Sequence, residues 1–270
     1  ETTRVAQSSI AGTVYRDDNL NDVIDSGEGM AGVRLTLTGT DAFGNAITAR
    51  TTDTVAGGAF VFDRLPAGVY QVVETQPASV FDRNETAGTA GGDVNNAAYG
   101  SAAAANTISN INLPAVTAAT GYLFQEIGAA RVSGYIYRDL NNNGARETGE
   151  TGFAPADFAS TPHVRLTGAD YAGGALNLTA AVDASGRYVF NTIPPSGAVE
   201  YTVTQLVQPN GASDGLDANG AGAVVAGSRG RPAPEGFGIG LVAPAADLTE
   251  RNFGELPTST LGGMVFLDPN

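Results

Sequence analysis

"GYIYRDLN", residues 134–141, has a near-copy in "GTVYRDDN", residues 12–19. The offset is 122 residues, and "GMVFLDPN" at 263–270 begins a third copy after a further 129. Repetition has to be settled first, because missing it misassigns the whole fold. Other landmarks recur in the same order. "GAFVFDRLP" at 58–66 matches "GRYVFNTIP" at 186–194, and "GYLFQE" at 121–126 matches "ERNFGE" at 250–255. Glu28 still pairs with Glu150 at the first offset, whereas Gly39 pairs with Gly168 at the second. The extra residues of the second copy therefore lie in "TGFAPADFASTPH", 151–163. These landmarks divide the chain into an N-terminal segment 1–7, unit one 8–127, unit two 128–257, and the start of a truncated third unit, 258–270. The joint "EIGAARVSG" is short, so neighbouring units must touch or nearly touch.

Within each unit the periodicity is two. In Val33-Arg-Leu-Thr-Leu-Thr38 and Val199-Glu-Tyr-Thr-Val-Thr204, apolar residues take every second place. Successive strand side chains point to opposite faces, so this pattern marks strands with one buried face. Turn signals such as "TDAFGN" (40–45) and "DASG" (183–186) punctuate them. About seven such strands per unit predict an all-β chain of tandem β-sandwiches.

Composition narrows the function. The chain has 270 residues, 28 acidic against 14 basic, for a net charge of -14. Every basic residue is Arg, and Lys, Cys and Trp are absent. Nucleic acid is excluded as a partner, because its phosphates need a basic surface. Cations suit this charge. No disulfide staples the fold. No run of 18 apolar residues exists, so no membrane span is expected in this segment. "ETTR" at the N-terminus lacks a signal-peptide pattern, as for an exported mature chain or a piece of a longer one.

The repeated motif runs directly into an acidic loop. A 12-residue EF-hand loop ligates calcium from positions 1, 3, 5, 7 (a backbone carbonyl), 9 and 12, with Gly at 6. Counted from Asp139, those positions hold Asp139, Asn141, Asn143, Ala145, Glu147 and Glu150, with Gly144 at position 6. Counted from Asp17, they hold Asp17, Asn19, Asn21, Val23, Asp25 and Glu28, with Asp22 in place of Gly. Asp enters the left-handed region more readily than most residues, at some cost. Single Asp/Asn/Gly runs usually just make turns, but two runs with the same six slots favour calcium. The third copy reaches only Asp268 and Asn270 before the chain stops. "GYIY" reads as strand rather than helix, so no helix-opening switch is expected. The loops are expected near the joint with the preceding unit. A second repeated acidic pair, Asp82/Glu85 and Asp214/Asp217, is expected at the other end of the sandwich, as a solvated loop or as extra ligands.

Together "GTVYRDDNLNDVIDSGE", "GAFVFDRLPAGVYQVVETQP" and "GYLFQE", with their second copies, resemble the SdrD-like B-repeat domains of bacterial serine–aspartate repeat surface proteins. These belong to the Cna B-type, prealbumin-like immunoglobulin sandwiches. The resemblance covers residues 10–270. It implies tandem Ig-like domains at the bacterial cell surface or outside the cell, with calcium-dependent rigidity. One branch of the wider group forms a Lys–Asn isopeptide bond, which a chain without Lys cannot make.

Enzyme motifs are weak. "GASDG" (211–215) fits a nucleophile elbow, but the sole His, His163, precedes it and is expected to be exposed in the inserted loop. "GEGMAG" (27–32) would place a phosphate against Asp25 and Glu28. The sequons at Asn84 and Asn177 matter only in a glycosylating host. The expected function is a non-enzymatic, calcium-stabilised stalk or fibre segment of adhesin or biofilm type, partnered by neighbouring repeats or other copies. The alternative is an adhesive module recognising a host or matrix component through 151–163 and "GAGAVVAGSRGRPAPEGFG" (220–238).

Overall fold

The computed structural model describes residues 7–94, 106–231 and 233–258. The third copy of the motif, with Asp268 and Asn270, lies outside them.

The first nine strands are β1 (Ser8–Arg16), β2 (Arg34–Asp41), β3 (Ala46–Asp53), β4 (Ala59–Leu65), β5 (Gly68–Glu74), β6 (Val80–Thr86), β7 (Asp93–Val94), β8 (Thr107–Leu113) and β9 (Ala118–Gly128). They form two sheets, in the orders β4-β1-β9-β6 and β3-β2-β5-β8-β7. The next ten are β10 (Ala130–Arg138), β11 (Val164–Ala169), β12 (Ala175–Ala180), β13 (Arg187–Ile193), β14 (Thr202–Gln205), β15 (Ala212–Asp214), β16 (Ala218–Asn219), β17 (Glu235–Gly238), β18 (Asp247–Leu248) and β19 (Arg251–Pro257). Their main sheets run β13-β10-β19-β15 and β12-β11-β14-β17, with β16 beside β19 and β18 beside β10. The order β13-β10-β19-β15 repeats β4-β1-β9-β6, and β12-β11-β14-β17 repeats β3-β2-β5-β8; β7, β16 and β18 have no counterparts. The chain is all-β, built as tandem Ig-like sandwiches.

The alternating residues fill the cores. Leu35, Leu37, Tyr70, Val72 and Ile108 from one sheet meet Ile10, Val14, Phe60, Phe62 and Phe124 from the other. Leu166, Tyr201, Val203 and Phe237 meet Val132, Ile136, Tyr188, Phe190 and Phe253 in the second sandwich. Each such side chain removed from water contributes roughly 1.5–3 kcal/mol. Local details repeat as well. Asp41 Oδ1 accepts the N–H groups of Phe43 and Asn45, and Asp170 Oδ1 those of Ala172 and Gly174. Gly opens the repeated motif because nothing else fits. A Cβ on Gly12 would lie 1.9 Å from the Tyr122 carbonyl oxygen, and one on Gly134 2.0 Å from that of Arg251.

Within each unit the first and last long strands run parallel, Gly12 beside Tyr122 through Arg16 beside Glu126, and Ile136 beside Phe253 through Arg138 beside Glu255. The C-terminal end of β1 therefore lies at the end where β9 leaves for the next unit. The acidic loop that follows β1 faces the following unit, not the preceding one as the sequence suggested. Only Ala129 separates β9 from β10. Across that joint Asp18 Oδ1 accepts the Gly128 N–H at 2.8 Å, Ala245 N–H donates to Gly128 O at 3.0 Å, and the Tyr171 hydroxyl donates to Asp82 O.

The inserted segment 151–163 is exposed along much of its length but anchored in the core at three points. Phe153 and Phe158 turn into the core around a 3-10 turn at Pro155–Asp157. His163 is fully buried, correcting the expectation of exposure. Its ring stacks on Phe158 at 4.2 Å between centroids, and Nδ1 accepts the Val182 N–H at 2.9 Å. Burial lowers its pKa from the ordinary value.

Candidate metal centre

Each acidic loop starts where the first strand leaves the sheet. The N–H of Asp17 donates to Glu126 O at 2.8 Å, and that of Asp139 to Glu255 O at 2.9 Å. Isolated bridges, Tyr15 to Gly29 and Tyr137 to Gly152, close the loops. From Asp17 to Glu28 and from Asp139 to Glu150 the two loops have one conformation, although loop two has one residue more before its closing bridge. Positions 4 and 6 are left-handed in both: Leu20 (φ 60°) and Asp22 (φ 59°), then Asn142 (φ 53°) and Gly144 (φ 74°). Asp22 thus adopts the backbone that Gly144 adopts. Gly27 and Gly149 are also left-handed, at 96° and 98°.

The side chains fold inward by the same bonds. Asp17 Oδ1 and Oδ2 accept the N–H groups of Asn21 and Asp22, and Asp139 Oδ1 and Oδ2 those of Asn143 and Gly144. Asn21 Oδ1 accepts from Val23 N–H and Asn143 Oδ1 from Ala145 N–H, both at 2.8 Å. The position-12 carboxylate closes the ring onto position 9: Glu28 Oε2 accepts from Asp25 N–H and Glu150 Oε2 from Glu147 N–H, each at 2.8 Å. The amides of Asn19 and Asn21 both donate to Asp25 Oδ2, and those of Asn141 and Asn143 to Glu147. The side chains at positions 1, 3, 5, 9 and 12 therefore converge in both loops. The set offers only oxygen ligands, three of them carboxylates, which fits a hard cation such as calcium. A bound ion would take over the attraction that the Asn amides now supply to Asp25 and Glu147.

The loops differ in one respect. Arg83 Nη1 pairs with Asp17 Oδ2 and Nη2 with Asp22 Oδ1, each at 3.0 Å, while Gln125 Nε2 donates to Asp17 Oδ2 at 2.6 Å. In unit two the corresponding places hold Gly215 and Gly254. Loop one is thus paired with an arginine from β6; loop two has its own Arg146, which lies over the Tyr135 ring at 4.0 Å, and among the described residues no ion pair to its carboxylates is seen.

The second acidic pair is at the same end, behind the loops, correcting the expected opposite end. Asp82 lies opposite Glu126 in the β6–β9 ladder, and Asp214 opposite Glu255 in β15–β19. Nor is it a solvated loop: Glu85, Asp214 and Asp217 are 2%, 7% and 2% exposed, and Asp82 is partly buried. Sequence reasoning missed the acids beneath it. Glu74 and Glu126 are buried together, and burial, then their mutual repulsion, raises Glu74 to about 10. Unit two has Gln205 at the place of Glu74, and its amide donates to Glu255. The signal was present in Tyr70-Gln-Val-Val-Glu74, where the inward alternation ends on the Glu.

Residues 8–120 match the family model described as the SdrD B-like domain. Among solved structures, the chain is similar to the minor pilin GBS52 of Streptococcus agalactiae, at 12% identity and a TM-score of 0.33, covering 96% of this chain and 99% of that one. It is also similar to the shaft pilin SpaA of Lactobacillus rhamnosus GG, at 14% identity and a TM-score of 0.36, covering 95% and 100%. For the Bacillus anthracis TIE protein the values are 13% and 0.31, with 93% of this chain covering 34% of that one, so the chain spans about a third of its length. No curated protein matches the sequence.

Proposed function

We propose that this chain, whose first unit matches the SdrD B-like domain, is a structural repeat segment of a bacterial surface or extracellular stalk or fibre, stiffened by calcium at its two acidic loops. The observation that carries this reading is the shared loop conformation. Two segments of different sequence adopt the same left-handed positions and the same side-chain-to-backbone bonds, gathering an oxygen-only ligand set each time. The position of loop one adds the mechanical link, because Asp18 in that loop holds the first backbone N–H after Ile127 at the joint. Among the described residues no helix is long and apolar enough to cross a membrane.

Calcium would supply charge neutralisation and a fixed centre. In loop one Asp17, Asn19, Asn21, the Val23 carbonyl, Asp25 and Glu28 would hold it; in loop two Asp139, Asn141, Asn143, the Ala145 carbonyl, Glu147 and Glu150. The protein itself supplies the pre-formed backbone and the anchor of each first ligand to the last strand. An ion that binds only the folded state stabilises it by about 2.7 kcal/mol at a hundredfold excess over Kd. Because Arg83 already neutralises part of loop one, unit two gains more from calcium than unit one.

The test is thermal melting and limited proteolysis with and without chelator. EDTA is expected to lower Tm and to expose 139–150 to protease before 17–28. Glu150→Ala abolishes most of the calcium gain in unit two and leaves unit one nearly unchanged. Thr148→Ala, at an exposed position of the same loop outside the six ligand slots, is the control. The proposal is wrong if EDTA moves neither readout, or if magnesium replaces calcium fully at equal concentration.

A further inference from the structure

A free sheet edge presents unpaired N–H and C=O groups to any strand that approaches, and natural sheets blunt it with charge, bulges or shortness. The strand orders here end in β3, β4, β6, β7, β12, β13, β15 and β17. β3, β4, β6 and β13 each carry charged residues, and the ladder of each shifts register at an irregularity. β7, β15 and β17 are only two to four residues long, and each carries an acid. β12, Ala175-Leu-Asn-Leu-Thr-Ala180, has none of these devices. It holds no charge and no Pro, and it pairs with β11 in unbroken register from Ala175 to Ala180. β3, at the equivalent place in unit one, is the contrast: its Asp53 pairs with Arg34 and its Arg50 with Asp63.

The edge is open as well as bare. Ala175, Asn177, Leu178 and Thr179 are exposed. At the hairpin the Asp170 N–H donates to Gly174 O. Bonded and non-bonded pairs alternate along an antiparallel ladder, so Leu176 and Leu178 turn their backbone groups toward β11. Ala175, Asn177 and Thr179 turn theirs outward, where among the described residues no hydrogen bond reaches them. The side chains alternate too. Leu176, Leu178 and Ala180 lie opposite Gly168, Leu166 and Val164 on the core side, and Leu178 is 36% exposed where the sandwich opens. Asn177 and Thr179 lie on the outer face.

We propose that β12 is an interaction edge whose partner is β12 of a second copy of this chain, added antiparallel about a twofold axis at Asn177. Backbone pairing gives the affinity in such strand addition. Centred there, the pairing sets Asn177 opposite Asn177 and Ala175 opposite Thr179, so every outward backbone group finds a partner. It also keeps the faces: Leu176 of each copy comes opposite Leu178 of the other, covering the exposed leucine. Charge selects the same place. Each copy carries a net charge of -14, so copies repel, and a neutral strip is where they can meet. The charge closest in the ladder, Arg165 opposite Thr179, lies one strand further in. One strand per copy makes a small interface, of the weak and reversible class. It uses neither acidic loop.

Sedimentation velocity of the whole chain over a range of concentrations tests this. A monomer–dimer equilibrium is expected, and added salt is expected to shift it toward dimer by screening the repulsion between copies. Asn177→Lys and Asn177→Asp each set like charges opposite one another across the axis, so each alone is expected to abolish the dimer. Mixed in equal amounts they set Lys opposite Asp and are expected to restore it. Hydrogen exchange of the unaltered chain reads the contact directly: the amides of Ala175, Asn177 and Thr179 exchange more slowly as concentration rises. A monomer at every concentration overturns the proposal. So does a dimer that survives Asn177→Lys, or one that salt dissolves, because ionic contacts elsewhere then hold it. A mixture that stays monomeric overturns the axis at Asn177. Should a variant fail to fold, exchange in the unaltered chain decides, and protection at β12 that does not change with concentration overturns the pairing.

Discussion

Glu74→Gln is expected to stabilise unit one strongly at neutral pH. Glu74 is 3% exposed, and among the described residues neither of its oxygens meets a donor. Burial, with Glu126 beside it, raises its pKa from 4.5 to about 10. The sign follows from linkage. A carboxyl whose folded pKa is raised favours the folded state fully below the unfolded value, and that contribution is lost as pH rises toward the folded value. At pH 7 the folded protein must keep a proton that the unfolded chain releases. At about 1.4 kcal/mol per pH unit above 4.5, the handicap is roughly 3 kcal/mol. Gln removes the titration and keeps the shape. Unit two already has this solution, since Gln205 donates to Glu255 and Glu255 is raised only to about 7. For a unit of this size the gain corresponds to roughly 10 °C in Tm. Differential scanning calorimetry at pH 8 and pH 4.5 checks it: a large rise in the unit-one transition at pH 8, and little at pH 4.5. An equal shift at both pH values, or a loss of stability at pH 8, refutes the reasoning.

His163 gives a second pH test. Its lowered pKa means that its contribution is present above the unfolded value near 6.5 and is lost as pH falls through the folded value. As it is the only His, an NMR titration reads it directly, and a normal or raised pKa contradicts the packing described. At the joint, Asp18→Ala removes the acceptor of the Gly128 N–H and the partner of Arg16. A loss of about 1 kcal/mol is expected to loosen the angle between units, seen as changed residual dipolar couplings, while each unit melts nearly as before; unchanged couplings would sink the idea.

The sandwich was legible because Leu35, Leu37, Tyr201 and Val203 alternate with polar residues, and because the motif at 12–19 returns at 134–141. Which end of the unit the loops occupy was not legible. It depends on β1 pairing in parallel with a strand more than a hundred residues away, and pairing direction leaves no local mark. His163 was misread because an insertion looks like a loop, although Phe153 and Phe158 within it were apolar enough to signal a cap over the core. Asp22 shows the opposite: the repeat predicted a left-handed residue there despite the missing Gly, and the backbone is left-handed.

The parallel pairing of β1 with β9, and of β10 with β19, has a mechanical consequence. The chain enters each unit at one end of this strand pair and leaves it at the other. Tension along the chain therefore loads the ladder lengthwise, so its hydrogen bonds must slide and fail together, not open one at a time. Resistance to pulling is a matter of the unfolding rate rather than of equilibrium stability, and a lengthwise-loaded ladder raises the barrier that sets that rate. Each acidic loop is tied to the far end of its ladder by the Asp17 or Asp139 N–H, at the point where the load passes to the next unit.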